Sequence, residues 1–228
     1  MIAALEHDET RLRAVFRDTD EAFVNMVKRA ANEIPAPACA SVTFHKNTSC
    51  FCDEILAHRF GMIPFRATAE ATLHLHARGP RIVRTSDIAG DESARPAHAD
   101  LLVVALGPDE ELHVDLHVRF GTGRDHARHS AVVAPRCVHR HVGFGGRRPT
   151  RLDEPPPLEC FCDDTRWGET CVECAGTKRD VALASAPMEY HLEFETTGAM
   201  PPLDVLRAAL LHLRSECVQV ARQIHAAA

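Results

Sequence analysis

No apolar stretch among the 228 residues approaches the roughly 20 needed to cross a bilayer. The N-terminus also lacks a basic segment followed by an apolar core. A soluble, intracellular protein without a membrane partner is therefore the expectation. Positive charge is equally short: 26 Lys and Arg against 32 Asp and Glu leave a formal net charge of −6. That balance argues against a free-standing nucleic-acid binder, whose contact face is normally basic, and makes any nucleic-acid connection indirect. Missing too are a clustered Asp triad for two-metal phosphoryl transfer, a P-loop and a Gly-x-Ser-x-Gly elbow. What remains is an ordinary globular composition, 45% hydrophobic, long enough for one large domain or two small ones.

Cysteine and histidine are plentiful. Nine cysteines, an odd number with one tight group of four, fit metal binding in a reducing compartment better than a disulfide framework. Cys160-Phe-Cys162 and Cys171-Val-Glu-Cys174 supply two close thiolate pairs, the donor set of a closed, structural, tetrahedral Zn²⁺ site; four reduced cysteines without metal are the plainer reading. Cys50-Phe51-Cys52 repeats the wording but has no second pair nearby in sequence, and packing is the expected role. The fifteen histidines are scattered, and each is read as a surface or core residue. His113 and His117 share a strand face by their even spacing. They carry the alternative reading, a free-standing zinc enzyme or regulator, although a third ligand and an open position are not evident.

Periodicity divides the chain. Leu12, Ala14 and Phe16 alternate with arginines as in a half-buried strand, and Asp18 to Asp20 offer helix caps before the apolar face of Ala22, Phe23, Met26, Val27 and Ala30. Val42 and Phe44 mark a further strand. After a turn at Asn47-Thr48-Ser49, Ile55, Leu56 and Phe60 fall at near-helical spacing, with Asp53 and Glu54 early and His58 and Arg59 late, as the helix dipole favours. Gly61, suited to a left-handed closure, and Pro64 are expected to stop this helix.

Residues 68–142 read as short strands, at Thr72 to His76, Arg81 to Val83, Leu101 to Leu106 and Leu112 to Phe120, with a loop at 89–99. Gly143 to Pro157 reads as an exposed excursion. Tyr190, Leu192 and Phe194 restore a strand, Thr197-Gly198 turns it, and Pro201-Pro202 opens a final helix. Along that helix Leu203, Leu206, Leu210, Leu213, Cys217, Val220 and Ile224 make a complete a/d stripe. About 24 residues extend ~36 Å, longer than a small domain covers, so part of the stripe is expected to meet another chain.

The series Asn47-Thr48-Ser49, Asp53-Glu54, Ala57-His58-Arg59, Gly61 and Ile63-Pro64 resembles the "NTS…DE.LAHR.G.IP" block of the RNA polymerase alpha-like subunits. That family comprises the third-largest subunit of RNA polymerase II, its polymerase I/III counterpart, the archaeal D-type protein and the bacterial alpha N-terminal domain. Asn25 to Ala30 is similar to its "N.LRR" helix, with Lys28 for the first Arg. Gly121 to Arg128 resembles "KG.GKEHAKW", with Arg124 for Lys and His129 where Trp is common. Phe194 to Pro202 is similar to "VES.G..PP".

This resemblance implies an α+β chain. A discontinuous dimerisation domain, a sheet with two or more helices, would span 1–66 and 187–228. An inserted, mostly β domain would span 67–186 and carry a zinc loop at about 158–176. It implies a non-catalytic assembly platform that pairs with a small L-like subunit through Phe23, Met26, Val27, Leu203, Leu206, Leu210, Leu213 and Val220. It further implies docking of the second-largest subunit, through Lys28, Arg29, His58, Arg59, Arg124, Asp125 and His126, and help from small zinc-bearing subunits. One structural zinc on Cys160, Cys162, Cys171 and Cys174 is expected, with an iron–sulfur cluster as the alternative because some archaeal relatives carry one. The loop departs from the cellular pattern, with a longer internal gap and a place after Arg128 rather than soon after Pro64. A displaced loop and a separate origin both fit. Compact length and this displacement suit a divergent polymerase, a viral one included; the location would be the nucleus in a eukaryote, or the virion or viral factory in a virus.

Overall fold

A computed structural model describes residues 2–90, 92–139 and 189–227. Cys160, Cys162, Cys171, Cys174 and the 143–157 excursion lie outside the described residues. Two apolar cores organise what is described.

The first core forms on an antiparallel four-stranded sheet. Strand β1 (Ile2–His7) flanks β2 (Arg11–Arg17), which pairs along its length with β11 (Glu189–Thr196), and β11 pairs in turn with β10 (Val132–His139). Register places Ala14 opposite Leu192 and Leu12 opposite Phe194, so the apolar residues of both strands share one face. Helix α1 (Glu21–Ala30) covers that face with Val24, Val27 and Ala30. The Asp20 carboxylate accepts the Phe23 N–H at 2.7 Å, which satisfies one of the first-turn donors. The last helix, α3 (Pro202–Ala227), adds Val205, Leu206 and Ala209. Burial of each such Leu or Val contributes roughly 1.5–3 kcal/mol.

The second core lies beneath a three-stranded sheet of order β3-β9-β5, built from β3 (Ala36–Asn47), β9 (Glu111–Gly121) and β5 (Ala71–Arg78). Strict alternation sends Leu112, Val114, Leu116 and Val118 inward from β9 and leaves His113, Asp115 and His117 on the opposite face. Leu56 and Phe60 of α2 (Asp53–Gly61) close the core. They are joined by residues of two small ribbons, β4 (Phe65–Ala67) with β7 (Ala94–Pro96) and β6 (Arg81–Arg84) with β8 (Leu102–Leu106).

Several expectations change. The first domain does not extend to residue 66. The change of core falls within β3, where Ala36 packs in the first and Cys39 in the second, and α2 belongs wholly to the second. Nor do the residues after 67 form one inserted body, because Ala131 and Val132 return to the first core and β10 completes its sheet. The long β3 explains both differences: its pairing with β9 from Ala36 to Asn47 makes residues 42–47 structural kin of the insert. Gly61 ends α2 without a left-handed closure. Met62, with φ −90° and its N–H shared among the last-turn carbonyls, tightens the helix end instead. The 89–99 segment holds β7, and β1 had no alternating signal because all six residues are exposed.

Candidate interaction surface

Helix α3 carries one apolar stripe with two fates. Leu206 is 3% exposed, and Leu210 and Leu213 pack partly against the first core. Further along the same stripe Val220 is 51% and Ile224 63% exposed, and every residue with a described side chain from Arg214 onward is exposed. A 26-residue helix spans about 39 Å. Its first three turns are therefore fastened to the domain while the remainder projects with bare Val and Ile. Leu211 and Val218, 56% and 44% exposed, lie on a separate exposed face, about 100° around the helix from Leu210 and Cys217. Beside α3, helix α1 exposes Phe23 and Met26, the Phe23 ring meeting Phe16 edge-on at 6.3 Å.

The structure thus separates the residues assigned to pairing. Phe23, Met26 and Val220 are exposed, Leu203, Leu210 and Leu213 are half-buried, but Val27 and Leu206 are core residues with no free face. The helical stripe has buried them at the end where α1 and α3 cross their own sheet. Leu211 and Val218 were not among the expected contacts, and Ile224 was expected only as the end of the stripe; their exposure identifies them.

The residues assigned to a large-subunit contact lie on three elements. Lys28 and Arg29 sit in the last turn of α1, where cations suit the helix dipole. His58 is exposed on α2. Arg59 is turned inward: its guanidinium donates to the Val103 carbonyl at 2.6 Å and lies over the Phe51 ring at 4.5 Å, so it ties α2 to β8.

Arg124, Asp125 and His126 are exposed on the loop after β9. Within it, the Thr122 hydroxyl and N–H hold the Asp125 carboxyl below the usual carboxylate range, and His126 Nδ1 accepts the Arg128 N–H at 3.1 Å. Loop shape accounts for both contacts, which leaves Arg124 as the outward cation.

Two neighbours that the spacing did not single out fasten this loop. Arg128 donates to the carbonyls of Cys39 and Ala40 at 3.1 and 2.8 Å, and the His129 imidazole, 7% exposed, meets the Ala36 carbonyl at 2.9 Å. All three carbonyls lie on β3 where it changes core. A second clasp joins the two bodies elsewhere: Arg66 Nε donates to the Gly198 carbonyl at 2.9 Å, and the His98 ring contacts the Thr197 carbonyl at 3.0 Å. Gly198 has φ +88°, a conformation that disfavours a side chain.

Cys50 and Cys52 are exposed, which removes the packing role expected of them; Cys52 is the N-cap residue of α2 but makes no capping hydrogen bond with its side chain.

Comparison with known proteins agrees with this two-body architecture. Residues 42–135 match the family described as the RNA polymerase Rpb3/RpoA insert domain, a span that begins within β3 and ends within β10. DNA-directed RNA polymerase subunit Rpo3 of Methanothermobacter thermautotrophicus is 27% identical, with 96% of this chain and 97% of that one aligned. Rpo3 of Natronomonas pharaonis is 25% identical over 91% of each chain, and Rpo3 of Thermococcus kodakarensis 31% identical over 54% of each. With the insert, the split sheet around it and Rpo3 relatives aligned over more than nine-tenths of the chain, the protein is similar, at low identity, to the alpha-like family of RNA polymerase subunits.

Proposed function

We propose that the chain is a non-catalytic assembly platform of a multisubunit DNA-dependent RNA polymerase, and that α1 with the projecting half of α3 pairs with a small L-like subunit. The observation that carries this is the divided stripe on α3. One apolar face runs from the core at Leu206 to open solvent at Ile224, and a lone helix gains nothing from exposing it. A partner helix laid along Leu210, Leu213, Val220 and Ile224 would extend the packing that already exists. Phe23 and Met26 lie on the neighbouring helix and would border that contact.

The second-largest subunit is assigned to Lys28, Arg29, His58, Arg124 and His126, with small zinc-bearing subunits as further neighbours. Arg59 supports this surface from within through its bond to Val103. Nucleic acid enters only through the assembled enzyme, in keeping with the net charge of −6.

One structural zinc is assigned to Cys160, Cys162, Cys171 and Cys174. The donor set fits: four thiolates in two close pairs satisfy a tetrahedral ion and leave no position for substrate. Cys160→Ser with Cys174→Ser is expected to lose one zinc per chain by native mass spectrometry; unchanged metal content would overturn the assignment.

Co-expression with a candidate L-like subunit tests the pairing. Val220→Asp with Ile224→Asp is expected to abolish co-purification while leaving thermal unfolding within about 0.5 kcal/mol of wild type, since neither side chain is buried. Leu206→Asp cannot serve this purpose, because it would damage the protein's own core.

A further inference from the structure

The outward face of the β3-β9-β5 sheet belongs to neither surface above and carries an unusual concentration of imidazole. Register aligns His76 with His113 and His74 with Asp115 across β5 and β9. On the other flank β3 breaks register between Phe44 and Lys46. A bulge of this kind adds a residue to one strand and re-aims its neighbour. Here His45 and Lys46 are both exposed, and both reach β9: Lys46 Nζ donates to Glu111 at 2.7 Å, and His45 Nε2 meets Asp115 Oδ2 at 2.8 Å.

The result is a histidine and carboxylate cluster at the centre of the face. The His113 ring stands between those of His45 and His76, with centroids 4.6 and 4.8 Å away, and makes no hydrogen bond among the described residues. Asp115 is held from its other oxygen by His74 Nδ1 at 2.6 Å, and His76 is engaged by Glu111 at 2.8 Å. One ligand atom each from His45, His113 and Asp115 lies within 4.8 Å of the others.

We propose that His45, His113 and Asp115 bind a divalent transition-metal ion, Zn²⁺ in the first instance, as a clip between the β3 bulge and β9. Two imidazoles and one carboxylate are the ligand types this ion takes at about 2.0–2.2 Å, with water completing the shell. Tetrahedral ligands at that range sit roughly 3.4 Å apart. The present 4.8 Å limit therefore closes by rotation of His45 and His113 on an open face. His74 then acts as the outer partner that fixes the carboxylate, the usual way a ligand is oriented. His117 stays outside the set, since its two ring nitrogens are engaged by Thr43 and Thr72 at 2.9 and 3.1 Å.

The test is a Zn²⁺ titration of the full chain by calorimetry, after a weak chelator has stripped loosely held metal and left the thiolate-bound ion in place. Wild type is expected to take up one further equivalent. His45→Gln combined with His113→Gln should remove it, and His74→Ala should weaken it by about 10–100-fold. His117→Gln should leave it unchanged. A Zn²⁺-dependent rise in unfolding temperature, present in wild type and absent in the double variant, gives a second readout on folded protein. Uptake that survives in the double variant, or no further uptake by wild type, overturns the proposal.

Discussion

Gly123 brings the two bodies together through backbone alone. Its N–H donates to the Asn32 carbonyl at 2.8 Å, and a Cβ built on it would stand 2.7 Å from that same oxygen. Because the obstacle is backbone and not the end of a flexible side chain, Gly123→Ala is expected to cost about 1–3 kcal/mol, the range for overpacking. Urea unfolding measures it, and an unchanged midpoint would show that the loop is not pinned. At Cys39 burial pushes the thiol up to about 11, while Cys50, Cys52 and Cys217 are exposed. Maleimide labelling of native protein at neutral pH, mapped by peptide mass, is expected to modify the three exposed cysteines quickly and Cys39 only after unfolding. These residues show how far sequence carries at this scale. The family-like wording of Gly121 to Arg128 was visible, but the direction in which Arg128 points depends on β3, 88 residues earlier.

At the scale of elements, the sheet of the first core has a charged outer face centred on Glu193. Burial pushes its carboxyl up, but Arg136 and Arg13, hydrogen-bonding it at 2.9 Å through their Nε atoms, outweigh this and lower it below its ordinary 4.5. A carboxylate depressed in the folded state adds stability above its unfolded pKa and loses it as pH falls through the folded one. Glu193→Gln is therefore expected to destabilise at neutral pH, and the difference from wild type should shrink on acidification below about 4.5. Equal destabilisation at both pH values would assign the effect to packing.

On α3 the two fates of one stripe predict opposite outcomes. Leu206→Ala should cost about 2–5 kcal/mol, as a cavity in a packed core does. Ile224→Ala should be nearly silent in the isolated chain. The a/d spacing made the stripe legible; where it leaves the core was not, because heptad spacing is the same on either side of a domain edge. Likewise, the residue pattern placed a strand at Val42 and Phe44 but not its start at Ala36, since a strand buried early and exposed later has no single alternation.

For the whole molecule, the discontinuous plan was readable from motif order, with a strand and helix at the end of the chain completing what the start began. Its boundaries were not, because β3 serves both cores and β10 belongs to the first sheet though it follows the insert's last motif. The two bodies are joined by Arg128 on β3 and by Arg66 and His98 on the Gly198 turn, just before α3. The insert is thereby held against the base of the projecting helix. The proposed platform role calls for that rigidity, since the partner proposed for α3 and the large subunit proposed for the α2 and 121–130 side would have to be presented in one fixed relation.

The central claim is that α3 beyond Leu213 is a docking element. It is tested most directly by size-exclusion chromatography with light scattering on the chain co-expressed with an L-like subunit. A 1:1 heterodimer is expected for wild type and a lone monomer for the Val220→Asp, Ile224→Asp variant. A heterodimer that persists in that variant would contradict the account.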